Sequence, residues 1–185
     1  MRLFIAITFS EEIKTSLYHT IEELQKYTSS GSFTTRENLH LTLNFIGETN
    51  RLESVKQSMN RAVMKANAHR LQITIGGFGK FKRREGDIYW VGVDEEMTLW
   101  RLQKELVKEL DTEGFTIDDR DFKPHLTLGR KVTIGNSFTP KLLEDTILPM
   151  TMEVQKISLM KSERIQGKLT YTEIYHVELE NTQLK

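Results

Sequence analysis

The period of the apolar positions changes several times along the chain, and each change marks an element. Leu3 to Ile7 is almost continuously apolar and reads as a first strand, ended by the polar, helix-starting Ser10-Glu11-Glu12. From Glu11 to Tyr27 the apolar residues Ile13, Leu17, Ile21 and Leu24 recur at helical spacing, with Ser10 as the N-cap. Ser29-Ser30-Gly31-Ser32 breaks that pattern. Leu39 to Phe45 then alternates strictly, which predicts a strand with Leu39, Leu41, Leu43 and Phe45 on one face and His40, Thr42 and Asn44 on the other.

Leu52, Val55, Met59, Ala62, Val63 and Ala66 predict a second helix, and Leu71 to Ile75 a strand. Phe78 to Val93 reads as a hairpin around Gly86. Leu99, Leu102, Leu106 and Leu110 mark a third helix stopped by Gly114. A polar approach, Asp118 to Lys123, leads into a strand near Pro124, and Leu142-Leu143 suggest a helical turn. Met152 to Met160 and Lys168 to Glu180 predict long strands joined around Gly167. Helices interspersed with strand pairs predict an α+β fold, with helices packed outside antiparallel sheets. No Pro/Gly/Ser-rich linker divides the chain, so residues 1–185 are expected to form one domain.

Composition narrows the chemistry. Lys plus Arg balances Asp plus Glu at 26 each, so no global cationic field coats nucleic acid, and any such contact must be local. The absence of cysteine excludes a disulfide framework, a thiolate nucleophile and a Cys-rich zinc cage, and fits a reducing, cytoplasmic setting. The apolar opening is too short for a signal-peptide core, and no run is long enough to span a bilayer, so a soluble protein is expected.

One tetrapeptide occurs twice. His40-Leu41-Thr42-Leu43 and His125-Leu126-Thr127-Leu128 lie 85 residues apart (125 minus 40), each expected mid-strand and each followed by a glycine, Gly47 or Gly129. A lone histidine on a strand is usually an ordinary residue, but duplication of the whole motif points to an internal structural repeat. Strand alternation puts His40 with Thr42, and His125 with Thr127, on one face each. Two lobes related by a pseudo-two-fold would bring both pairs to a central cleft. Two imidazoles that titrate near neutrality and two hydroxyl donors suit in-line displacement at phosphorus, one histidine as base and the other as acid. A cyclic phosphodiester meets that geometry, and its chemistry obliges no metal and no cofactor.

The doubled His-x-Thr-x, with Phe-Lys-Pro-His-Leu-Thr-Leu-Gly-Arg around the second copy, resembles the two-histidine phosphoesterase superfamily. Arg2 to Ile7, Asn38 to Gly47, Phe122 to Arg130 and Tyr171 resemble its RNA 2′,3′-cyclic phosphodiesterase (LigT-like) family. That resemblance spans nearly the whole chain. It implies a bilobal α+β domain, without cofactor, that opens the 2′,3′-cyclic phosphate of an RNA 3′ end, or of a nucleoside 2′,3′-cyclic phosphate, to a 2′-phosphate. It also implies weak joining of RNA through a 2′,5′ bond. His40 would donate a proton to the leaving 3′-oxygen, His125 would activate water, and Thr42 and Thr127 would hold the phosphate. A monomer is expected.

Arg130 closes the second motif and is a candidate phosphate ligand, although in an unbroken strand it falls on the leucine face and reaches the site only if the strand twists or bulges near Gly129. Tyr171 and Phe33 are candidates for contact with the nucleotide, ahead of Trp90 and Trp100. The run Lys80-Phe81-Lys82-Arg83-Arg84 suits either a single-stranded RNA tail or an ordinary solvated loop. Gly76-Gly77-Phe78-Gly79 lacks the following helix of a phosphate loop, and Asp118, Asp119 and Asp121 lack the spacing of a calcium loop. His19, His69 and His176 lack the motif and read as structural or solvated. The rival readings are a non-catalytic nucleotide-binding module and a related phosphoesterase acting on another RNA end or on a small cyclic phosphate such as ADP-ribose 1″,2″-cyclic phosphate.

Overall fold

The computed structural model describes residues 1–117, 121–135, 138–144 and 146–181. Its strands are β1 (Arg2–Thr8), β2 (Thr28–Phe33), β3 (His40–Glu48), β4 (Leu71–Phe81), β5 (Asp87–Val93), β6 (His125–Ile134), β7 (Met150–Val154), β8 (Lys156–Ile165) and β9 (Lys168–Glu178). Its helices are α1 (Glu11–Gln25), α2 (Leu52–Lys65), α3 (Met97–Thr112) and the short α4 (Lys141–Glu144). The strands form two antiparallel sheets, one in the order β3-β1-β8-β9 and one in the order β2-β6-β5-β4-β7. The α+β expectation holds. None of the described helices is long and apolar enough to cross a membrane.

The helices form where the periodicity placed them, and their termini are satisfied locally. The Ser10 hydroxyl accepts the Ile13 amide at 3.4 Å, and the Glu96 carboxylate accepts the Leu99 amide at 2.6 Å. Each such cap is worth about 1 kcal/mol. Ile13, Leu17, Ile21 and Leu24 of α1, Val55 and Met59 of α2, and Leu99, Leu102, Leu106 and Leu110 of α3 join one buried cluster with Leu3, Ile5 and Ile7 of β1. Leu41, Leu43, Leu126 and Leu128, the motif leucines, enter that same cluster. The opposite face of the first sheet carries a separate small cluster, Phe4, Ala6 and Met160, with Tyr171 packed on it.

Several details differ from the sequence expectation. Thr28 to Phe33 is an edge strand rather than a break, because its backbone pairs with β6 even though its side chains are small and mostly exposed. The predicted strand from Met152 to Met160 is two strands: β7 pairs with β4, the chain crosses at Gln155, and β8 pairs with β1 in the other sheet. Leu71 to Phe81 runs as one strand, with a bulge between Gly76 and Phe78. His40 and His125 begin their strands instead of sitting in the middle.

The repeat is written in the strand register. Along β1–β3, Thr8 faces His40, Ile7 faces Leu41, Ala6 faces Thr42, and then the register shifts so that Ile5 faces Asn44. Along β5–β6, Gly92 faces His125, Val91 faces Leu126, Trp90 faces Thr127, and the register shifts so that Tyr89 faces Gly129. Both motif strands therefore bulge at the fourth motif residue, Leu43 or Leu128. An extra residue at a bulge reverses side-chain parity beyond it. Asn44 is accordingly buried and Phe45 is 59% exposed, the reverse of strict alternation.

Gly129 occupies the tight spot after the second bulge, where a Cβ would come within 2.9 Å of the side chains of both Phe33 and Val132. Gly129→Ala is expected to overpack this position and destabilise the fold by about 1–3 kcal/mol. Chemical denaturation checks this, and an unchanged midpoint would refute the packing account.

Candidate active site

Each motif histidine is oriented by the backbone that precedes it. Nδ1 of His40 lies 2.7 Å from the Asn38 carbonyl oxygen, and Nδ1 of His125 lies 2.6 Å from that of Lys123. A carbonyl only accepts, so both Nδ1 atoms carry the proton and the two Nε2 atoms are left to the cleft. Asn38 is itself buried at the end of a 3₁₀ turn, and its side-chain amide donates to the Leu169 carbonyl at 2.9 Å, tying the approach to β3 onto β9. Nε2 of His40 lies 2.8 Å from the Thr42 hydroxyl, within reach for proton exchange. The Thr127 carbonyl accepts from Thr34 at 2.7 Å, which pins the second motif to the chain leaving β2.

One residue of each pair, Thr42 and His125, lines a cleft of about 730 Å³, whose walls also include Phe45, Phe81, Arg83 and Arg130. His40 lies next to Thr42 and close enough to His125 for the charge of that ring to act on it. Behind His40 a smaller recess of about 290 Å³ is lined by Thr8, Lys14, Asn38, Tyr171 and Glu173. The Tyr171 ring meets His40 edge-on at 5.3 Å, and Phe4 packs against His40 at 4.8 Å. On the other wall Phe81 meets His125 edge-on at 5.0 Å and Trp90 lies 6.2 Å away. Gly79 makes room for the Trp90 ring, since a Cβ there would come within 2.3 Å of it.

Both imidazoles are biased toward the neutral form. Burial holds His40 below the ordinary histidine value; the bond to the Asn38 carbonyl opposes this, and the positive charges of Arg130 and His125 push it further down. Burial also lowers His125, against the bond to the Lys123 carbonyl and with the help of Arg130. His40 is the more deeply enclosed of the two.

The bulge at Leu128 resolves the parity problem at Arg130. The guanidinium stands on the cleft side and donates to the Thr127 hydroxyl at 3.4 Å. Phe45 holds the equivalent place in the first motif and was not singled out from sequence; the available signal was its position, five residues after His40 as Arg130 is five after His125. Phe33 packs on Gly129 and Val132 instead of standing among the cleft-lining residues, and Trp100 packs on Phe122 at 5.4 Å. Asp121 lines the cleft, whereas Asp118 and Asp119 lie outside the described residues. His19 and His176 pair with carboxylates, at 3.9 Å from Glu22 and 3.0 Å from Glu173, and the His69 backbone forms an isolated parallel β-bridge with that of Glu180, all apart from the cleft walls.

Comparison with known proteins follows the same lines. Residues 13–166 match the model of the 2′-5′ RNA ligase superfamily. The RNA 2′,3′-cyclic phosphodiesterase of Thermotoga maritima is 32% identical, over 97% of this chain and 96% of that protein. The enzyme of the same name from Methanothermobacter thermautotrophicus is 29% identical, over 94% of this chain and 96% of that protein. The crystal structure of Escherichia coli LigT complexed with 3′-AMP superposes with a TM-score of 0.76 at 25% identity, covering 98% of each chain.

Arg130→Met removes a cation while keeping a side chain of similar length, and is expected to raise the pKa of both His40 and His125. An NMR titration of the imidazole signals reads this directly. Unmoved midpoints would mean that Arg130 does not act on the pair.

Proposed function

The chain belongs to the 2′-5′ RNA ligase superfamily of two-histidine phosphoesterases, and we propose that it hydrolyses the 2′,3′-cyclic phosphate at an RNA 3′ end to a 2′-phosphate. The observation that carries the reading is the duplicated orientation of His40 and His125, each with Nδ1 tied to the carbonyl two residues earlier, which leaves both Nε2 atoms for the reaction, that of His40 beside the Thr42 hydroxyl. A mere phosphate-binding module needs donors but not two imidazoles poised to exchange protons, whereas in-line displacement needs both.

In this mechanism the phosphate sits between the two Nε2 atoms, and Thr42, Thr127 and Arg130 donate to its non-bridging oxygens. Water attacks phosphorus as Nε2 of His125 takes its proton. The bond from phosphorus to the 3′-oxygen breaks as Nε2 of His40 gives a proton to that oxygen. The reaction leaves a 3′-hydroxyl and a 2′-phosphate, with His125 protonated and His40 neutral; exchange with solvent resets both. The greater enclosure of His40 and the more open position of His125, where water arrives, support this assignment of roles. Phe45, in the cleft, and Tyr171, in the recess beside His40, offer faces against which the terminal nucleoside can rest. Phe33 would act indirectly, by packing beneath the strand that carries Arg130. We place the enzyme, as a monomer, in the cytoplasm, in keeping with its lack of cysteine.

Purified protein treated with EDTA is expected to convert an oligoribonucleotide ending in a 2′,3′-cyclic phosphate to the 2′-phosphate, identified by chromatography. His40→Ala and His125→Ala are each expected to lower turnover by about 10²–10⁴-fold without unfolding the chain. A 3′-phosphate product would overturn the direction of ring opening, and full activity in either variant would overturn the mechanism.

The lowered pKa values set the pH dependence. His125 must be neutral to act as base, and its competent form is lost as pH falls through its depressed pKa. His40 must be protonated to act as acid, and its competent form is lost as pH rises through its depressed pKa. The profile of kcat/KM, which reports the free enzyme, should peak on the acid side of neutrality. The bound phosphate anion favours both imidazolium forms, so kcat should peak at higher pH than kcat/KM. A kcat/KM that climbs steadily through pH 8 would contradict these assignments.

A further inference from the structure

The β4–β5 hairpin leaves the cleft wall beside His125 and ends in the most cationic stretch of a chain with no net charge. Lys80, Lys82, Arg83 and Arg84 lie within five residues, answered at the tip only by Glu85 and Asp87. Those two acids are already engaged: Glu85 by Lys131 at 2.6 Å and Asp87 by Lys80 at 2.7 Å. Among the described residues Lys82, Arg83 and Arg84 have no carboxylate partner, and all three are exposed. Charges held in this way, unpaired on a short turn, find their partner outside the molecule.

The tip is also joined to the reacting groups by a continuous set of flat side chains. Trp90 packs against Phe81 at 5.3 Å, Phe81 meets His125 at 5.0 Å, and the Arg83 guanidinium lies 5.9 Å above the Phe81 ring. Phe81 and Arg83 line the same cleft as Thr42, His125 and Arg130. Aromatic and guanidinium planes, alternating with free cations along an open groove, make the surface on which a single strand stacks its bases and lays its phosphates. A lone cyclic nucleotide would fill only the inner end and leave this surface bare.

We propose that the β4–β5 hairpin is a binding arm for the single-stranded RNA chain next to the cyclic phosphate, and that it makes the enzyme prefer oligoribonucleotide ends over free nucleoside 2′,3′-cyclic phosphates. The proposal rests on the phosphodiesterase reading given above. Lys82, Arg83 and Arg84 take successive backbone phosphates, and Phe81 with Arg83 supports a base. The net charge of zero then matches an enzyme that grips one RNA end locally instead of coating RNA along its length.

The test compares two substrates with the same terminal nucleotide, adenosine 2′,3′-cyclic phosphate and a ten-nucleotide RNA ending in it, for the wild type and for Lys82→Ser/Arg83→Ser/Arg84→Ser. The ratio of kcat/KM for the RNA to that for the mononucleotide is expected to fall about 10–100-fold in the variant at low salt. The slope of log kcat/KM for the RNA against log salt should shrink by about 2, near 0.7 for each of three phosphate contacts. Lys82→Ser/Arg84→Ser, which keeps the Arg83 bond to the Lys82 carbonyl, should show the same trend at smaller size if the triple variant proves unstable. A ratio and salt slope unchanged in variants that still cleave both substrates would overturn the binding arm alone. Cleavage of neither substrate by the wild type would overturn the phosphodiesterase reading and the arm with it.

Discussion

Everything at the site depends on side-chain parity along two strands. A strand can present polar residues to a cleft and apolar residues to a core only if it alternates, and His40-Leu41-Thr42-Leu43 and His125-Leu126-Thr127-Leu128 do so. The four leucines, each under 5% exposed, anchor the strands in the core and hold the histidines and threonines outward. The bulge at the fourth residue of each motif then reverses the parity, returning Phe45 and Arg130 to the cleft and sending Asn44 and Gly129 inward. A regular strand would have buried the guanidinium or turned it to the wrong side.

The repeat is symmetric in backbone and asymmetric in what it carries. Register partners correspond one by one in the two halves, but Ala6 stands where the other half has Trp90, and Phe45 where the other has Arg130. His40 is therefore the more enclosed, with Phe4 and Tyr171 against its ring, and His125 the more open, in a cleft that also carries Arg83 and Arg130. Two chemically identical motifs acquire different environments from their neighbours, and in the proposed mechanism that difference sets one imidazole to give a proton and the other to take one. The bonds from Nδ1 to the carbonyls of Asn38 and Lys123 cost little, because those carbonyls lie at strand entrances with no ladder partner of their own among the described contacts.

Much of this was legible in the amino-acid sequence. The helices declared themselves through apolar spacing and capping residues, and the candidate histidine pair through its duplication. What escaped was set by pairing between distant segments. Thr28 to Phe33 has the composition of a loop and is a strand because β6 offers it a backbone edge. Met152 to Met160 is uniformly strand-forming, and nothing local marks Gln155 as the point where the chain changes sheets. The bulge in the first motif was invisible for the same reason: Leu43 looks like an ordinary inward residue, and only the register against β1 displaces it. Arg130 could be suspected because its chemistry demanded a bulge, whereas Phe45 carried no such demand.

The central claim is that His40 and His125 divide the acid and base roles between them, and the most direct measurement is the pH dependence of residual turnover in His40→Ala and His125→Ala on an RNA ending in a 2′,3′-cyclic phosphate. The account predicts that each variant loses a different limb of the bell, His125→Ala the limb at low pH and His40→Ala the limb at high pH. Retention of both limbs in either variant would contradict it.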